Sequence, residues 1–413
     1  MNPYLIFILA VLILSYLLNL VIAILELHAL DPELPPEFSD VYSQKKYRQS
    51  QQYTRVTTRF SQTSDTFMLV VTIAFILAGG FNQVDLMARS FGLGSIATGL
   101  LFAGGLALLS TIIGLPFSIY STFVIEERFG FNKTTPKTFV LDLVKGLILA
   151  ICIGTPLLAA VLWFFQVAGN LAWLYCWLAV TVFTLIIQFL APVVIMPLFN
   201  KFTPLEDGEL KKSITDYAQA QQFAIKGIYT MDGSKRSTRL NAFFTGFGRF
   251  RRIVFFDTLM EKLNTGEIVA VLAHEMGHFK HKHIFKMMGA SILQMGIMFF
   301  IMSLFLGNQQ LFAAFGMEHI SIYAGLIFFG FLYSPVSTLL SIFFNLFSRK
   351  HEYEADAWAV TTTGQVQELI SGLKKLSVHN LSNLTPHPLN VFVNYSHPPI
   401  LQRIRAIEQL SKT

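Results

Sequence analysis

The chain has 413 residues, of which 53% are hydrophobic and only 14% charged, and it carries a formal net charge of +6. That composition excludes an ordinary soluble protein, in which about a quarter of the residues are charged. The basic residues cluster at the ends of apolar blocks rather than along one stripe interleaved with aromatics, which favours orientation in a bilayer and excludes nucleic acid as the expected partner.

The first apolar run, Tyr4–Leu25, has no basic residue ahead of it and is long enough to cross a bilayer, so it reads as a retained transmembrane helix rather than a cleaved signal. Further runs follow at Phe67–Phe81, Ile96–Val124, Phe139–Val167, Leu171–Ile195, Ile284–Leu306 and Ile320–Phe347. The second is the weakest, being short and carrying Gly79 and Gly80. Its membrane crossing is supported by charge: the first connection carries Lys45, Lys46, Arg48, Arg55 and Arg59, the next only Arg89, the third Arg128, Lys133 and Lys137, and the fourth none. Basic loops stay cytoplasmic, so the alternation predicts seven spans with the N-terminus outside and the C-terminus inside. Cys152 and Cys176, the only cysteines, lie within apolar segments, so any metal must be held by His and carboxylate ligands.

The expected organisation is residues 1–199 as five transmembrane helices with their loops, 200–283 as a cytoplasmic-side protease segment, 284–347 as two more spans, and 348–413 as the remainder of the protease domain. Within the first polar region, Leu240–Thr245 and Ile253–Phe256 read as short strands around a turn region at Gly246–Arg252, a small β-hairpin. A helix follows, opened by Asn264 and Glu267 at capping-box spacing, with an apolar face through Ile268, Leu272 and Met276.

That helix carries His274-Glu275-Met276-Gly277-His278. Residues four apart share a helix face, so both imidazoles reach one Zn2+, while Glu275, one position round, addresses a water acidified by the metal and takes its proton. A catalytic zinc site needs a third protein ligand and an open position. His281 falls roughly on the same face, but three ligands in line on a straight helix do not surround a metal, and with Lys280, Lys282 and Lys286 around them His281 and His283 read as a headgroup-facing helix end. Glu352 is the better third ligand. The chain crosses the membrane twice after His278 and so returns to the same face, with Glu352 just past the last span and Asp356 one helical turn further, placed to orient a ligand histidine.

The HEMGH segment, EYEADAWA from Glu352, NAFFTGFG from Asn241, EERFGFNK from Glu126, DGSKRS from Asp232 and NYSHPPILQRI from Asn394 together resemble the type I CAAX prenyl endopeptidases, intramembrane zinc proteases that remove the last three residues of prenylated proteins. The resemblance implies a mainly α fold, a seven-helix barrel enclosing a hydrated chamber, with the HExxH zinc domain on its cytoplasmic side. It implies one zinc per chain held by His274, His278 and Glu352, with Asp356 behind them. It also implies substrate backbone contact at Asn241 and Ala242, and supporting roles for His397 and Arg403. Arg239 and Leu240 stand where members often have His-Ser, which bears on substrate preference. A peptide or protein substrate, prenylated or otherwise membrane-associated, and the bilayer are the expected partners. A broader membrane quality-control protease is the alternative within enzymes, and a transporter or channel with structural zinc the alternative outside them. The chain lacks long insertions and a retention signal, and a bacterial-type inner membrane is expected ahead of the endoplasmic reticulum.

Overall fold

The computed structural model describes residues 2–245, 251–410 and 412. Seven helices among them are long and apolar enough to cross a membrane: α1 (Pro3–His28), α2 (Gln44–Leu77), α3 (Ser95–Glu126), α4 (Pro136–Val167), α5 (Gly169–Phe199), α7 (His283–Ser303) and α8 (Ile322–Thr363). Helix α6 (Thr265–Lys280) lies between the fifth and sixth spans.

The seven spans close a ring. Each packs on the next in chain order, with Phe60 and Phe67 of α2 meeting Phe117 of α3, and α8 returns to pack on α1. In every span the most apolar stretch is only 0% to 17% buried within the protein. The unburied apolar surface is what lipid would cover, so these spans stand as a ring of neighbours and not as a solid bundle that buries a full apolar stripe. The expected barrel is therefore present, and so are the seven spans.

Two boundaries differ from expectation. The second span does not run to Phe81: α2 stops at Leu77, Gly79 adopts φ +67°, and Phe81 belongs to a separate short helix, Gly80–Ser90. Its polar first half also extends the helix back to Gln44, where Ser43 caps it by accepting from the Lys46 amide. The last helix does not end at Phe347. It runs on to Thr363, 42 residues from its start at Ile322, because nothing between Phe347 and the αL cap at Gly364 interrupts it.

The expected hairpin is part of a larger sheet. Strands β1 (Phe202–Pro204), β2 (Gly227–Met231), β3 (Ala242–Thr245) and β4 (Arg252–Phe256) lie in the order β1-β2-β4-β3. β3 and β4 pair antiparallel, Ala242 opposite Phe255, while β2 runs parallel to β4. Leu240 and Asn241 precede the strand rather than belonging to it, and most of the turn region, 246–250, lies outside the described residues. β1 and β2 are too short and too mixed to show a period of two. The sheet packs on α6 through Ile253, Phe255, Ile268, Leu272 and Met276. The other side of α6 faces a cluster with Leu369 and Leu373 of α9 (Val366–His379), Ile404 of α10 (Ile400–Leu410), Phe38 and Tyr42 from the first connection, and Tyr47 from the start of α2. Helix α6 is thus buried nearly all round rather than along one face.

Candidate metal centre

The capping box forms as the spacing predicts: Asn264 Oδ1 accepts from the Glu267 amide and Glu267 Oε2 from the Asn264 amide, each at 2.8 Å. Glu267 also receives Lys375 Nζ at 2.7 Å, which ties the start of α6 to α9. The helix is therefore fixed at its origin before its histidines are reached.

What brings the two motifs together is a close approach of backbones. A Cβ added at Gly277 would stand 2.9 Å from the Cα of Ala355 and 3.1 Å from its carbonyl oxygen. Gly277 and fully buried Ala355 are the crossing point of α6 and α8. Residues four apart share a face, so the crossing sets the pair His274 and His278 against the pair Glu352 and Asp356.

At that crossing, His278 Nε2 lies 3.2 Å from Glu352 Oε1 and 3.2 Å from His274 Nε2, and His274 Nε2 lies 3.5 Å from Glu352 Oε2. Four donors held tetrahedrally at zinc distances of about 2.0–2.1 Å stand about 3.3–3.4 Å apart, so the three side chains have the spacing of metal ligands. Their chemistry fits too. Asp356 Oδ1 accepts from His274 Nδ1 at 2.8 Å, and a carboxylate only accepts, so the lone pair of His274 is on Nε2, facing the meeting point. Glu352 Oε2 is buried and accepts no hydrogen bond, although Arg403 Nη1 is 3.1 Å away as a charge contact. An imidazole lone pair and an unsatisfied carboxylate oxygen facing one another are what a cation would resolve.

Arg403 completes the buried charge group. It donates from Nε to Asp356 Oδ2 at 2.8 Å and from Nη2 to Asp356 Oδ1 at 2.7 Å. Burial alone would lower its pKa, but the carboxylates of Asp356 and Glu352 outweigh that and hold it raised. For His278, burial favours the neutral ring, and the Glu352 carboxylate outweighs it and raises its pKa.

His397, 66% exposed, turns Nε2 to within 3.4 Å of Glu352 Oε1 while Nδ1 contacts Ser396 Oγ at 3.0 Å. Glu275 is half-buried beside the histidines. Asn241 is exposed just before β3, an outer strand of the sheet, with its carbonyl accepting from the Phe256 amide at 3.1 Å. Arg239 points elsewhere: its guanidinium holds Glu126 at 3.0 Å and Tyr53, and lies over the Phe131 ring at 4.2 Å.

Two features were not read from the sequence. His283 does not face headgroups; it is 3% exposed and its Nδ1 is 3.1 Å from His278 Nδ1. The turn at Lys282, in the left-handed region at φ +58°, swings it back onto the metal helix. The Gly277–Ala355 crossing was also missed, though a glycine inside a helical pattern is a recognised sign of close packing.

The fold and site define a class, and comparison with known proteins agrees with it. The model described as CAAX prenyl protease N-terminal, five membrane helices, matches residues 23–201, and that of Peptidase family M48 matches residues 204–411. The chain belongs to peptidase family M48 and is an integral-membrane metallopeptidase with several spans, which sets aside the transporter reading.

Its similarity to particular members extends over nearly the whole length. It is 36% identical over 412 residues to CAAX prenyl protease 1 of Saccharomyces cerevisiae, covering 92% of this chain and 90% of that protein. It is 37% identical over 415 residues to CAAX prenyl protease 1 homolog of Oryza sativa subsp. japonica, covering 98% and 97%. The crystal structure of S. mikatae Ste24p matches with a TM-score of 0.94 at 35% identity, covering 99% of this chain and 100% of that one.

Proposed function

We propose that this protein is a zinc endopeptidase that hydrolyses peptide bonds near the C-terminus of prenylated, CAAX-type proteins, with one Zn2+ held by His274, His278 and Glu352. The observation that carries this reading is the position of the three-ligand group beside an apolar cavity. The cavity, of about 670 Å³, is lined by His278 together with Leu185, Ile284, Met287, Met288 and Met295. Cavities of this size take an apolar ligand of drug-like dimensions, and an isoprenoid chain is such a ligand. Its methionines are adaptable packing partners for a branched chain.

A bound zinc would supply Lewis acidity toward water and toward the scissile carbonyl. The protein supplies the rest. The Glu275 carboxylate takes a proton from the attacking water and returns it to the leaving amide nitrogen. His397 Nε2, exposed beside Glu352, donates to the oxygen on which negative charge develops. Asp356 fixes the tautomer and direction of His274, and Arg403 neutralises the two buried carboxylates. The substrate backbone adds beside Asn241 and Ala242, along the side of β3 turned away from β4, since among the described residues β3 pairs with β4 alone. The alternation of basic loops supports a site on the cytoplasmic side. The host membrane is either a bacterial-type inner membrane or the endoplasmic reticulum, and fractionation of the native host decides between them.

The test uses purified full-length protein with matched C-terminal peptides bearing or lacking a farnesyl group. We expect cleavage of the farnesylated peptide with a kcat/KM at least about tenfold higher, about 1.4 kcal/mol, abolished by chelator and restored by zinc. Equal cleavage of both peptides supports the broader quality-control protease instead. Cleavage indifferent to chelator overturns the metal assignment.

A further inference from the structure

His274 has its supporting carboxylate in Asp356, but no carboxylate contacts the outward nitrogen of His278 directly. Nδ1 of His278 faces Nδ1 of His283 at 3.1 Å, and Nε2 of His283 faces Glu354 Oε2 at 2.9 Å. The Glu354 carboxylate only accepts, so the proton of that contact is on His283 Nε2. Two ring nitrogens 3.1 Å apart need one proton between them. If it belonged to His283, His278 would accept at Nδ1 and carry its own proton on Nε2, the atom that faces Glu352 and His274. If it belongs to His278, the lone pair of His278 is on Nε2, where a metal would meet it. Only the second arrangement suits a ligand.

The surroundings hold His283 in this place. It is 3% exposed, stacked on His351 with ring centroids 3.9 Å apart, and is set there by the left-handed turn at Lys282. Positive φ at a non-glycine residue is unfavourable and persists where the surroundings over-determine it. Glu354 lies two residues after Glu352, about 200° round α8, so it leaves the centre to Glu352 and meets His283 from another side of the helix.

We propose that His283 and Glu354 form a directed relay, Glu354 accepting from His283 and His283 accepting from His278, that fixes His278 in the tautomer and ring orientation needed to bind metal through Nε2. His283 and Glu354 are positioning residues. Each ligand histidine then has a carboxylate behind it, one directly and one through a second imidazole.

This inference rests on the metal-centre reading, and its test separates the two. Zinc content and the rate of zinc release to a chelator are measured for the full-length protein and four variants, with KM and kcat for a cleaved peptide and the unfolding temperature of each metal-free form. His283→Leu removes the acceptor and should release zinc about 10–100-fold more readily, the usual cost of losing such a partner, with KM little changed. His283→Asn places Oδ1 where Nδ1 stood, accepts the same proton and should restore most of the retention. Glu354→Leu should show a smaller loss than His283→Leu, and Glu354→Gln, whose amide oxygen still accepts, should approach the parent protein. Unchanged zinc release in His283→Leu overturns the relay. So does equal loss in His283→Asn, or a loss that simply follows the metal-free unfolding temperature. Two zinc ions in the parent protein, one lost in Glu354→Leu, overturn it in favour of a second metal on His281, His283 and Glu354. A parent protein that binds no zinc overturns the metal centre itself.

Discussion

The membrane ring and the metal crossing are built on opposite principles. In the ring, the spans leave most of their apolar surface unburied, and large side chains such as Leu339 (69% exposed) and Leu14 (64%) contact no core of the protein. The bilayer, not packing, satisfies them. At the crossing, Ala355, Asp356 and Glu352 are buried to within a few per cent, and the partners of the two carboxylates lie 45 to 82 positions away in the chain. One region takes its shape from solvent preference, the other from close contact, so the first should tolerate substitution and the second should not.

The largest effect is expected from the ligand and base carboxylates, and they should fail differently. Glu352→Ala removes an inner oxygen and should strip the protein of zinc. Glu275→Gln keeps side-chain size but loses the proton acceptor, so it should hold full zinc while kcat drops by about 10²–10⁴-fold. Metal analysis alongside turnover checks both; full zinc in the Glu352 variant would remove it from the ligand set.

A smaller effect tests the crossing itself. In Gly277→Val the new atoms overlap the Ala355 backbone, which cannot swing aside, and overpacking of this kind costs about 1–3 kcal/mol. The helices must separate, so zinc release should quicken as the unfolding temperature falls. A variant that is destabilised yet holds zinc normally would show that the approach matters for folding alone.

The smallest effect belongs to the ring. Leu339→Ala in α8 should change stability by no more than about 0.5 kcal/mol and leave zinc unchanged, as read by thermal unfolding in detergent. A loss as large as that of Gly277→Val would erase the contrast between the regions.

The same contrast explains what could be read in advance. Seven spans follow from hydropathy because each is decided locally, and even the weak second one was supported by the charges flanking it. HEMGH and EYEADAWA were legible because i, i+4 spacing places side chains on one face without knowledge of the partner. The capping box at Asn264 was legible for the same reason. What stayed hidden depends on contact across the chain. β1 is set by pairing with β2, and β2 by pairing with β1 and β4 and by the core around Ile228. Phe38, Tyr42 and Tyr47 lie in a stretch that looks merely polar yet insert beside α6. His283 sits among lysines in sequence, and only the turn at Lys282 brings it inward.

One feature of α8 bears on how the protein meets its surroundings. Pro335 and Glu352 belong to a single rod of 42 residues, about 63 Å long at 1.5 Å per residue, that begins in the membrane and ends in water. A tilted rod carries its far end with it. Helices adjust their tilt to the thickness of the bilayer, so the inclination of this one is shared between lipid at one end and a carboxylate at the other. The histidines of α6 ride on a second helix that crosses this one at Gly277 and Ala355 and is anchored to the sheet and to α9. Because α6 is pinned to this rod at Gly277 and Ala355, a change of its inclination would carry Glu352, His274 and His278 together, and the centre would move as one piece against the bilayer.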